Sequence, residues 1–322
     1  MTRGSFDLNL LRALDMLLRH RNVTRAAETL FVTQQAMSGS LRRLRDHFDD
    51  PLLVRVGRSL ELSPLARSLE GPVREAILRA DAAISTRPHF DPATARMSVR
   101  IAMSDYATFV ILPRLLRLLT RRAPHIVCHF EALNRHSLEA IELGEIDLCI
   151  TAGNWALYPT YTPIPDIRVQ PLFHEGFICA VDGAKRDPGE LLTTAQYVRM
   201  RHNTAVFGQG IETVVETAWR THRLPINVVA SAPNFSSLLY MLPGTELIAT
   251  VQRRLAHALA PSLGLKLLEC PIEIEPLEET LIWHDRTTND PGHSFLRDQL
   301  IEIAQRIDAE APHSPVTTVS DT

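Results

Sequence analysis

Long apolar runs are missing from this 322-residue sequence. Charged residues interrupt the apolar stretches well before the roughly 18 positions that a membrane-spanning helix requires. The N-terminal stretch MTRGSFDLNLLRALDMLLRHRN places acidic and arginine side chains inside its apolar pattern, unlike the uninterrupted apolar region of a secretory signal. The sequence therefore predicts a cytoplasmic protein with no membrane partner.

Cysteine is also scarce, with four residues in the chain: Cys128, Cys149, Cys179 and Cys270. None of them forms a C-x-x-C pair or lies at metal-ligand spacing from a histidine, so we expect no metal site. Cys149 and Cys179 lie in apolar, strand-like runs, where we expect buried free thiols. A redox pair is the alternative, and it requires two of the four thiols to approach each other in the fold.

Short motifs of common enzymes are absent as well. The sequence has no G-x-S-x-G, no P-loop, no H-E-x-x-H and no G-x-G-x-x-G followed by a suitably placed acid. We therefore expect no catalytic residues and no cofactor.

The composition is that of a globular protein, with 45% apolar and 22% charged residues, and the length suggests two or three domains. The net charge of -3 is unevenly distributed. Residues 1–87 contain 14 Arg, no Lys and 10 acidic residues, which gives +4, whereas the remainder has 20 basic and 27 acidic residues, which gives -7. A basic segment on an acidic body is typical of a head that binds polyanions.

Residues 1–63 have the pattern of a small helical unit that ends in a hairpin. Leucines recur at helical spacing from Leu8 to Leu18, and Asn22 or Thr24 can begin a second, short helix. Thr33 begins a third helix, with one apolar stripe and one polar face. The stripe consists of Met37, Leu41, Leu44 and Phe48. The polar face consists of Gln34, Gln35, Ser38, Arg42 and Arg45. Two strands at 52–56 and 60–62, joined by Gly57-Arg58-Ser59, predict a hairpin with a basic tip.

A long helix is predicted from Ser63-Pro64 to about Ser85, because a cap is followed by proline at the first helical position. Apolar residues recur along one side of it at steps of three and four. Such a stripe needs a partner, and a two-stranded coil with a second copy of the chain would supply one. We expect this dimerisation stripe to contain Leu65, Leu69, Val73, Ile77 and Ile84. Pro72 should bend the helix, and residues 64–96 form a linker helix and hinge.

From residue 97 onward, strand patterns alternate with helix patterns, which predicts parallel sheets with crossover helices. The predicted strands span 97–103, 126–130, 147–151, 176–181, 197–201, 227–230, 246–250, 265–270 and 279–284. The predicted helices span 105–121, 137–143, 210–222, 236–241 and 294–309. Residues 97–309 are thus expected to form two α/β lobes in sequence with a cleft between them. Residues 310–322 lack any apolar period and are expected to be a disordered tail.

Two short helices, a tight turn and a third helix with a polar outer face form the pattern of a helix-turn-helix, whose second element enters the major groove of DNA. Glutamine can hydrogen-bond an adenine edge at two points, and arginine neutralises phosphate. A solvated polar face on a small helical unit is the alternative interpretation.

The segment FDLNLLRALDMLLRHRNVTRAAETLFVTQQAMSGSLRRLRDHFDDPLLVRVGRSLELSP resembles the winged helix-turn-helix of LysR-type transcriptional regulators along its full length. The matching elements are N-V-T-R-A-A-E-T-L, T-Q-Q-A-M-S, L-R-R-L-R and D-P-L-L-V-R-V. With the α/β remainder, the resemblance covers nearly all of residues 6–305. F-D-L-N-L-L, D-P-L-L-V-R and W-H-D-R-T-T-N-D-P-G-H-S-F-L-R are similar to the branch that holds the nodulation protein D and salicylate-responsive regulators.

The resemblance implies a two-lobed α/β effector domain, similar to periplasmic binding proteins, preceded by an all-α winged helix-turn-helix and a long linker helix. It implies a homodimer or homotetramer that binds double-stranded DNA at an interrupted palindrome and responds to a small effector, aromatic in this branch. RNA polymerase is a further implied partner. The alternatives are a redox-sensing member of the family and an enzyme that uses the cleft, since a fold does not determine a function.

Carried over residue by residue, the resemblance places Gln34, Gln35 and Ser38 against bases. It assigns phosphate contacts to Thr33, Arg42, Arg43, Arg55 and Arg58. Two positions depart from the family, which usually has proline or serine where Gln35 stands and a polar residue where Phe31 stands. We expect Phe31 to pack against the wing or a partner.

The family's small-molecule site lies between the lobes, at strand ends and helix N-termini, which favour anions. Ser104, Asp105 and Tyr106 occupy such a junction, although Ser104 can equally be only a helix cap. Asp105 would repel a carboxylate, which favours a neutral phenol or a bridging water. By resemblance, the other candidates are Asn134, Thr151, Gly153, His202, Asn203, Phe207 and Thr250. We expect the loop around His202 to face Ser104 across the cleft, with a structural histidine as the alternative.

Overall fold

The computed structural model describes residues 9–56, 59–85, 90–134, 136–153, 166–185, 189, 191–206 and 212–310. The chain divides into two compact units, Met1–Arg87 and Pro88–Thr322. Among the described helices, none is long and apolar enough to cross a membrane. The described residues also contain no group of three or more His, Cys, Asp or Glu side chains that could hold a metal ion.

The first unit begins with the three predicted helices, α1 (Asn9–His20), α2 (Val23–Thr29) and α3 (Gln34–Phe48). Asn22 begins α2 because its side chain accepts hydrogen bonds from the backbone N–H groups of Thr24 and Arg25, at 2.9 and 3.1 Å. Thr33 begins α3 in the same way, through the N–H of Ala36 at 3.2 Å. The predicted stripe of α3 faces the core of the unit, where the buried side chains include Met37, Leu41 and Leu44.

An antiparallel hairpin follows, formed by β1 (Leu53–Val56) and β2 (Ser59–Leu62). Arg45 of α3 anchors it, because the guanidinium donates hydrogen bonds to the carbonyl oxygens of Pro51 and Leu53, at 2.8 and 3.1 Å. Gly57 and Arg58 of the predicted basic tip lie outside the described residues.

The long helix α4 (Pro64–Ser85) has the predicted length and stays helical through Pro72. The predicted dimerisation stripe of α4 is corrected at two positions. Val73 and Ile77 are buried in the core of their own unit together with residues of α1 and α3. Arg74 adds an ion pair to Asp15 of α1 at 2.8 Å. These contacts give one side of α4 a partner within the chain. The side chain of Ile84 lies outside the described residues.

The second unit contains two five-stranded sheets, one in each lobe. The first sheet has the order β4 (Ile126–Ala132), β3 (Met97–Met103), β5 (Leu148–Ala152), β12 (Leu277–His284), β6 (Ile167–Glu175). The second has the order β11 (Leu265–Leu268), β7 (Phe177–Asp182), β10 (Leu247–Gln252), β8 (Arg201–Ala205), β9 (Asn227–Ala232).

Both sheets are mixed, so the prediction of parallel sheets is wrong in this detail. In the first sheet β3 pairs in parallel with β4 and β5, but β12 is antiparallel to β5 and β6. In the second sheet β7 is antiparallel to β10 and β11. The lobes are also not consecutive, because the chain leaves the first sheet after Glu175 and returns to it at Leu277. Two connections therefore join the lobes.

Helices follow most of the strands of this unit. They are α5 (Asp105–Arg122), α6 (Ser137–Glu142), α7 (Thr194–Arg199), α8 (Val214–Thr221), α9 (Phe235–Tyr240), α10 (Arg253–Leu263) and α11 (Pro291–Ala309), with a short 3-10 turn at Asp285–Thr287.

Two of these helices differ from the predictions. The strand predicted at 197–201 is instead the end of α7, which a capping box of Thr193 and Gln196 begins, and the strand starts only at Arg201. Helix α10 was not predicted, and its cap residue Gln252 makes no side-chain cap hydrogen bond that would mark its start. Residues 210–211, at the start of the predicted helix 210–222, and residues 311–322 of the predicted tail lie outside the described residues.

Candidate DNA-binding surface and interlobe pocket

The outer face of α3 presents a polar stripe. Gln34, Ser38 and Arg42 are spaced four residues apart, so they lie on one side of the helix, and Gln35 borders them. All four side chains are exposed, opposite the buried stripe of Met37, Leu41 and Leu44. The sequence prediction of a polar outer face is therefore confirmed, whereas the base contacts remain a prediction.

The predicted phosphate-binding residues surround this stripe. Thr33, Arg43 and Arg55 are exposed on α3 and β1, and Arg58 lies outside the described residues. No acidic residue occupies the first turn of the 15-residue helix α3, so the helix itself places no negative side chain at its partial positive end. Arg45 has a structural role instead, because its guanidinium donates hydrogen bonds to carbonyl oxygens at the start of the hairpin.

Phe31 occupies the turn just before α3. Its backbone has a φ of 54°, a left-handed conformation that costs a non-glycine residue about 1–2 kcal/mol. Its side chain is 97% exposed. The expectation that Phe31 packs against the wing is therefore wrong, and packing against a partner remains a prediction.

A pocket of about 640 Å³, counted with its open mouth, lies between the two lobes of the second unit. Its lining from the first lobe consists of Ser104, Leu133, Thr151, Ala152, Leu277 and Glu279. Its lining from the second lobe consists of Phe177, Glu212, Thr213, Val214, Val215, Phe235 and Gln252. Aliphatic and aromatic side chains dominate this set, as in most sites for small organic ligands.

Two of the predicted effector residues, Ser104 and Thr151, line this pocket. The hydroxyl of Ser104 also caps α5 by accepting a hydrogen bond from the N–H of Ala107 at 3.0 Å. Its hydroxyl proton can still be donated to a ligand, so the cap and the ligand contact are compatible.

Asp105 joins the lobes and is not among the lining residues. Its carboxylate accepts hydrogen bonds from the backbone N–H groups of Phe235 and Ser236, at 3.1 and 2.8 Å. Both donors belong to the first turn of α9 in the second lobe, where the helix dipole also favours a negative charge. The carboxylate is thus committed to a contact between the lobes.

His202 does not face Ser104, and this expectation is corrected. The residue lies within β8, is fully buried, and its ring makes edge contacts with Tyr197 and Trp219. Its Nε2 atom hydrogen-bonds the carbonyl of Tyr197 at 2.8 Å, and burial lowers the pKa of its imidazole. The structural interpretation of His202 therefore fits these contacts.

Other predicted effector residues also lie apart from the lining. Asn203 donates from Nδ2 to the carbonyl of Leu238 at 2.9 Å. Thr250 is buried with its hydroxyl 2.8 Å from that of Tyr197. Asn134 is exposed after β4.

Gly153 and Phe207 complete the predicted set. Gly153 donates its N–H to the carbonyl of Glu278 at 2.7 Å, and a Cβ atom there would collide with Thr280 Oγ1. Phe207 lies outside the described residues. Neither residue is part of the described pocket lining.

A buried polar cluster lies where the two lobes connect. Tyr106 donates its hydroxyl to the carboxylate of Glu175, the last residue of β6. Arg254 of α10 forms an ion pair with the same carboxylate at 2.9 Å and also donates to the carbonyl of Ile307 at 3.0 Å. Burial, and then the charge of Glu175, raise the pKa of Glu279 to about 8. Tyr106 therefore supports the connection between the lobes instead of lining the pocket.

Gln252 and Glu279 are lining residues that the sequence interpretation missed. Each strand alternates, in L-I-A-T-V-Q and L-E-E-T-L-I-W-H, so that Gln252 lies on the same face as Ile248, and Glu279 on the same face as Leu277 and Leu281. A polar side chain at a position that strand alternation assigns to the interior is a signal that could have found them.

Two of the four described cysteines, Cys179 and Cys270, influence each other's ionisation. Cys149 and Cys179 are buried, as predicted, and Cys128 and Cys270 are half-buried. An interaction with the Cys179 thiol lowers the pKa of Cys270, while burial raises that of Cys179. Among the described cysteines, this pair is therefore the candidate for the redox alternative.

Comparison with known families gives two matches that together span most of the chain. Residues 8–67 match the family described as bacterial regulatory helix-turn-helix protein, lysR family. Residues 92–305 match the LysR substrate binding domain.

Individual proteins are similar over nearly their full length. Nodulation protein D 1 of Rhizobium tropici is 33% identical over 94% of this chain and 96% of its own. A probable transcriptional regulator from Pseudomonas aeruginosa has a similar structure, with a TM-score of 0.62, 26% identity, and coverage of 92% of this chain and 96% of its own. Full-length CbnR in complex with its target DNA shares the fold, with a TM-score of 0.56, 15% identity, and coverage of 94% and 99%.

Proposed function

Because the chain belongs to the LysR family of DNA-binding transcriptional regulators, which are not enzymes, we propose that it binds an interrupted palindromic operator as a homo-oligomer and responds to a small aromatic effector. Binding to chromosomal DNA places the protein in the cytoplasm, with RNA polymerase as a further partner. The domain boundaries at residues 63, 96 and 309 are part of the same proposal. The observation that carries the DNA-binding role is the exposed stripe of Gln34, Ser38 and Arg42 on α3.

The side chains of the stripe suit different parts of the DNA. The Gln34 amide suits the edge of adenine, with Ser38 beside it, and Arg42 suits phosphate. CbnR, whose fold is similar, was solved with its target DNA, which supports DNA binding by this chain.

We expect Gln34→Ala to weaken binding to the operator by about 1–3 kcal/mol and to leave binding to scrambled DNA nearly unchanged. Arg42→Ala should weaken both alike and flatten the salt dependence, because it removes a phosphate contact. Titrations of both duplexes at several salt concentrations measure these effects. Equal losses on both duplexes for Gln34→Ala would refute the base contact.

Helix α4 supports the homo-oligomer through the side that α1 does not cover. Ala76 and Ala80 are exposed on it, and Leu65 and Leu69 beside them are only half-buried. Pro72, also exposed, lies on the same side. We propose that this side packs against a second copy, adjacent to Val73 and Ile77, which pack within their own chain.

We expect Ala76→Glu to dissociate the dimer and to abolish operator binding, since a charge would be buried in the interface. Gly71→Glu is the matched control, because it places the same charge on another side of α4, where a Cβ atom meets nothing within 4 Å. Light scattering measures the mass of each variant. An unchanged mass for Ala76→Glu, or an equal loss for Gly71→Glu, would argue against this interface.

The interlobe pocket supports a small aromatic effector. Phe177 and Phe235 line it together with aliphatic side chains from both lobes, and aromatic rings stack well against such surfaces. A ligand that touches both lobes can shift their arrangement only by its difference in affinity for the two states.

Redox sensing is a second candidate, favoured by the interaction of the Cys179 and Cys270 thiols that shifts their pKa values. Hydrogen peroxide would oxidise the Cys270 thiol to a sulfenic acid and release water, and the Cys179 thiol would then form the disulfide with release of a second water. Loss of DNA binding on peroxide treatment, abolished by Cys270→Ser, would assign sensing to the thiols.

A further inference from the structure

We infer that the interlobe pocket selects an uncharged ligand whose apolar body bears a hydrogen-bonding group, held between the Gln252 amide of one lobe and the Glu279 carboxyl of the other. This inference rests on the proposed function of the pocket as the effector site. It adds the charge class of the ligand and the two residues that recognise its polar group.

Gln252 is fully buried at the end of β10 and lines the pocket. Neither its Nε2 nor its Oε1 atom has a hydrogen-bond partner among the described residues. A buried amide that satisfies neither its donor nor its acceptor is unfavourable unless a ligand or water completes it. The side chain therefore offers both a donor and an acceptor to a pocket occupant.

Glu279 lies on β12, is 2% exposed, and lines the pocket from the first lobe. Its Oε2 atom has no partner among the described residues. Because the pKa of this carboxyl is raised to about 8, the acid is mostly neutral at pH 7 and can donate its proton to a ligand oxygen.

The charged and titratable groups near Glu279 reinforce its neutral form. Glu175 repels a negative charge there, and Tyr106 and Cys149 lose their protons even less readily in the presence of Glu279. The nearby cation Arg254 is already paired with Glu175. The described surroundings thus supply no guanidinium or ammonium dedicated to Glu279.

The charge of the lining argues against an anionic ligand. Among the described lining residues there are two acids and no Lys, Arg or His. The second acid, Glu212, forms an ion pair with Arg220 at 2.9 Å. A ligand carboxylate would therefore meet carboxyl groups without a balancing cation. A ligand ammonium would have to ionise Glu279 in an apolar enclosure.

Three probes with one scaffold test the charge class: 2-naphthalenemethanol, 2-naphthoate and 2-naphthalenemethylamine. Calorimetry on the full chain at pH 7 should show that the alcohol binds with at least tenfold higher affinity than either charged probe. The affinity for the alcohol should fall as the pH rises through about 8, because an apolar ligand that covers Glu279 favours its neutral form.

Two variants assign the contacts. Gln252→Leu should weaken binding of the alcohol at least tenfold without lowering the melting temperature of the protein. Gln170→Leu, the same change outside the described lining, should have no effect on binding. Glu279→Gln should keep binding within a few-fold and lose the pH dependence, since its amide can still donate.

The outcomes separate this inference from the proposed function. Tighter binding of the naphthoate, or of the amine with increasing affinity at high pH, would overturn the charge class and leave the aromatic pocket standing. Binding of the alcohol that Gln252→Leu does not change would overturn the recognition by Gln252. Absence of binding by all three probes would overturn the aromatic effector and this inference together.

Discussion

Replacing Glu279 by glutamine should make the protein more stable at pH 8.5 by an amount on the order of 4 kcal/mol, with a much smaller difference at pH 5. Folding raises the pKa of this carboxyl from 4.5 to about 8. A carboxyl group whose pKa is raised by folding contributes to stability at pH values below the pKa of the unfolded state. This contribution is lost as the pH rises from about 4.5 to about 8. Glutamine has no proton to lose, so the variant escapes that loss.

Melting temperatures of the wild type and Glu279→Gln between pH 5 and 8.5 measure this difference. Glu278→Gln is the control, because the neighbouring side chain is 41% exposed and pairs with His174 at 3.5 Å. Its curve should follow that of the wild type. Parallel curves for all three proteins would show that Glu279 ionises freely in the folded state.

Replacing Arg254 by methionine should destabilise the second unit by about 3–5 kcal/mol, because it leaves the buried Glu175 carboxylate without its cation. The same guanidinium donates to the carbonyl oxygens of His174 and Ile307. It thereby ties α10 of the second lobe to β6 and α11 of the first. The variant should also loosen the connection between the lobes.

The double variant Arg254→Met with Glu175→Gln should recover most of this loss, since the oxygen of a neutral amide can still accept a hydrogen bond from the Tyr106 hydroxyl. Arg306→Met is the control, because Arg306 pairs with Glu302 on the surface of α11, where an ion pair contributes less than about 1 kcal/mol. Denaturant unfolding measures all three. A cost for Arg254→Met no larger than that for Arg306→Met would show that the buried pair is dispensable.

Interactions local in sequence made the first unit predictable. Asn22 and Thr33 are N-cap residues that mark where α2 and α3 begin. The stripe of Met37, Leu41 and Leu44 has the helical period. The strand β3 and the helix α5 were predicted with nearly their observed bounds for the same reason, because Ser104 separates them as a cap.

Long-range pairing limited the prediction of the second unit. The last strand, β12, inserts antiparallel beside β5, more than a hundred residues earlier in the chain, and no local pattern encodes such a pairing. Long-range contacts also limited the prediction of the pocket residues. Ser104 was found because it ends a strand, whereas Gln252 and Glu279 meet at the pocket only through the two connections between the lobes.

The contacts between the lobes suggest how the pocket can influence the rest of the molecule. Asp105 joins α5 to the start of α9, and Arg254 joins α10 to β6 and α11. The lining residue Ser104 precedes Asp105, and the lining residue Gln252 lies two residues before Arg254, so a ligand that bridges Gln252 and Glu279 would bind beside both segments. Its effect is limited to the difference in its affinity for the alternative lobe arrangements.

Selection of bound sequences from a pool of randomised DNA duplexes tests the central claim, that α3 recognises a specific operator, most directly. We expect the purified full-length protein to enrich two inverted half-sites whose centres lie about 10 base pairs, or a multiple of that, apart. Gln34→Ala should lose the preference at one base pair of each half-site. Enrichment of no sequence, or of the same sequence at the same strength by both proteins, would refute recognition of an operator by α3.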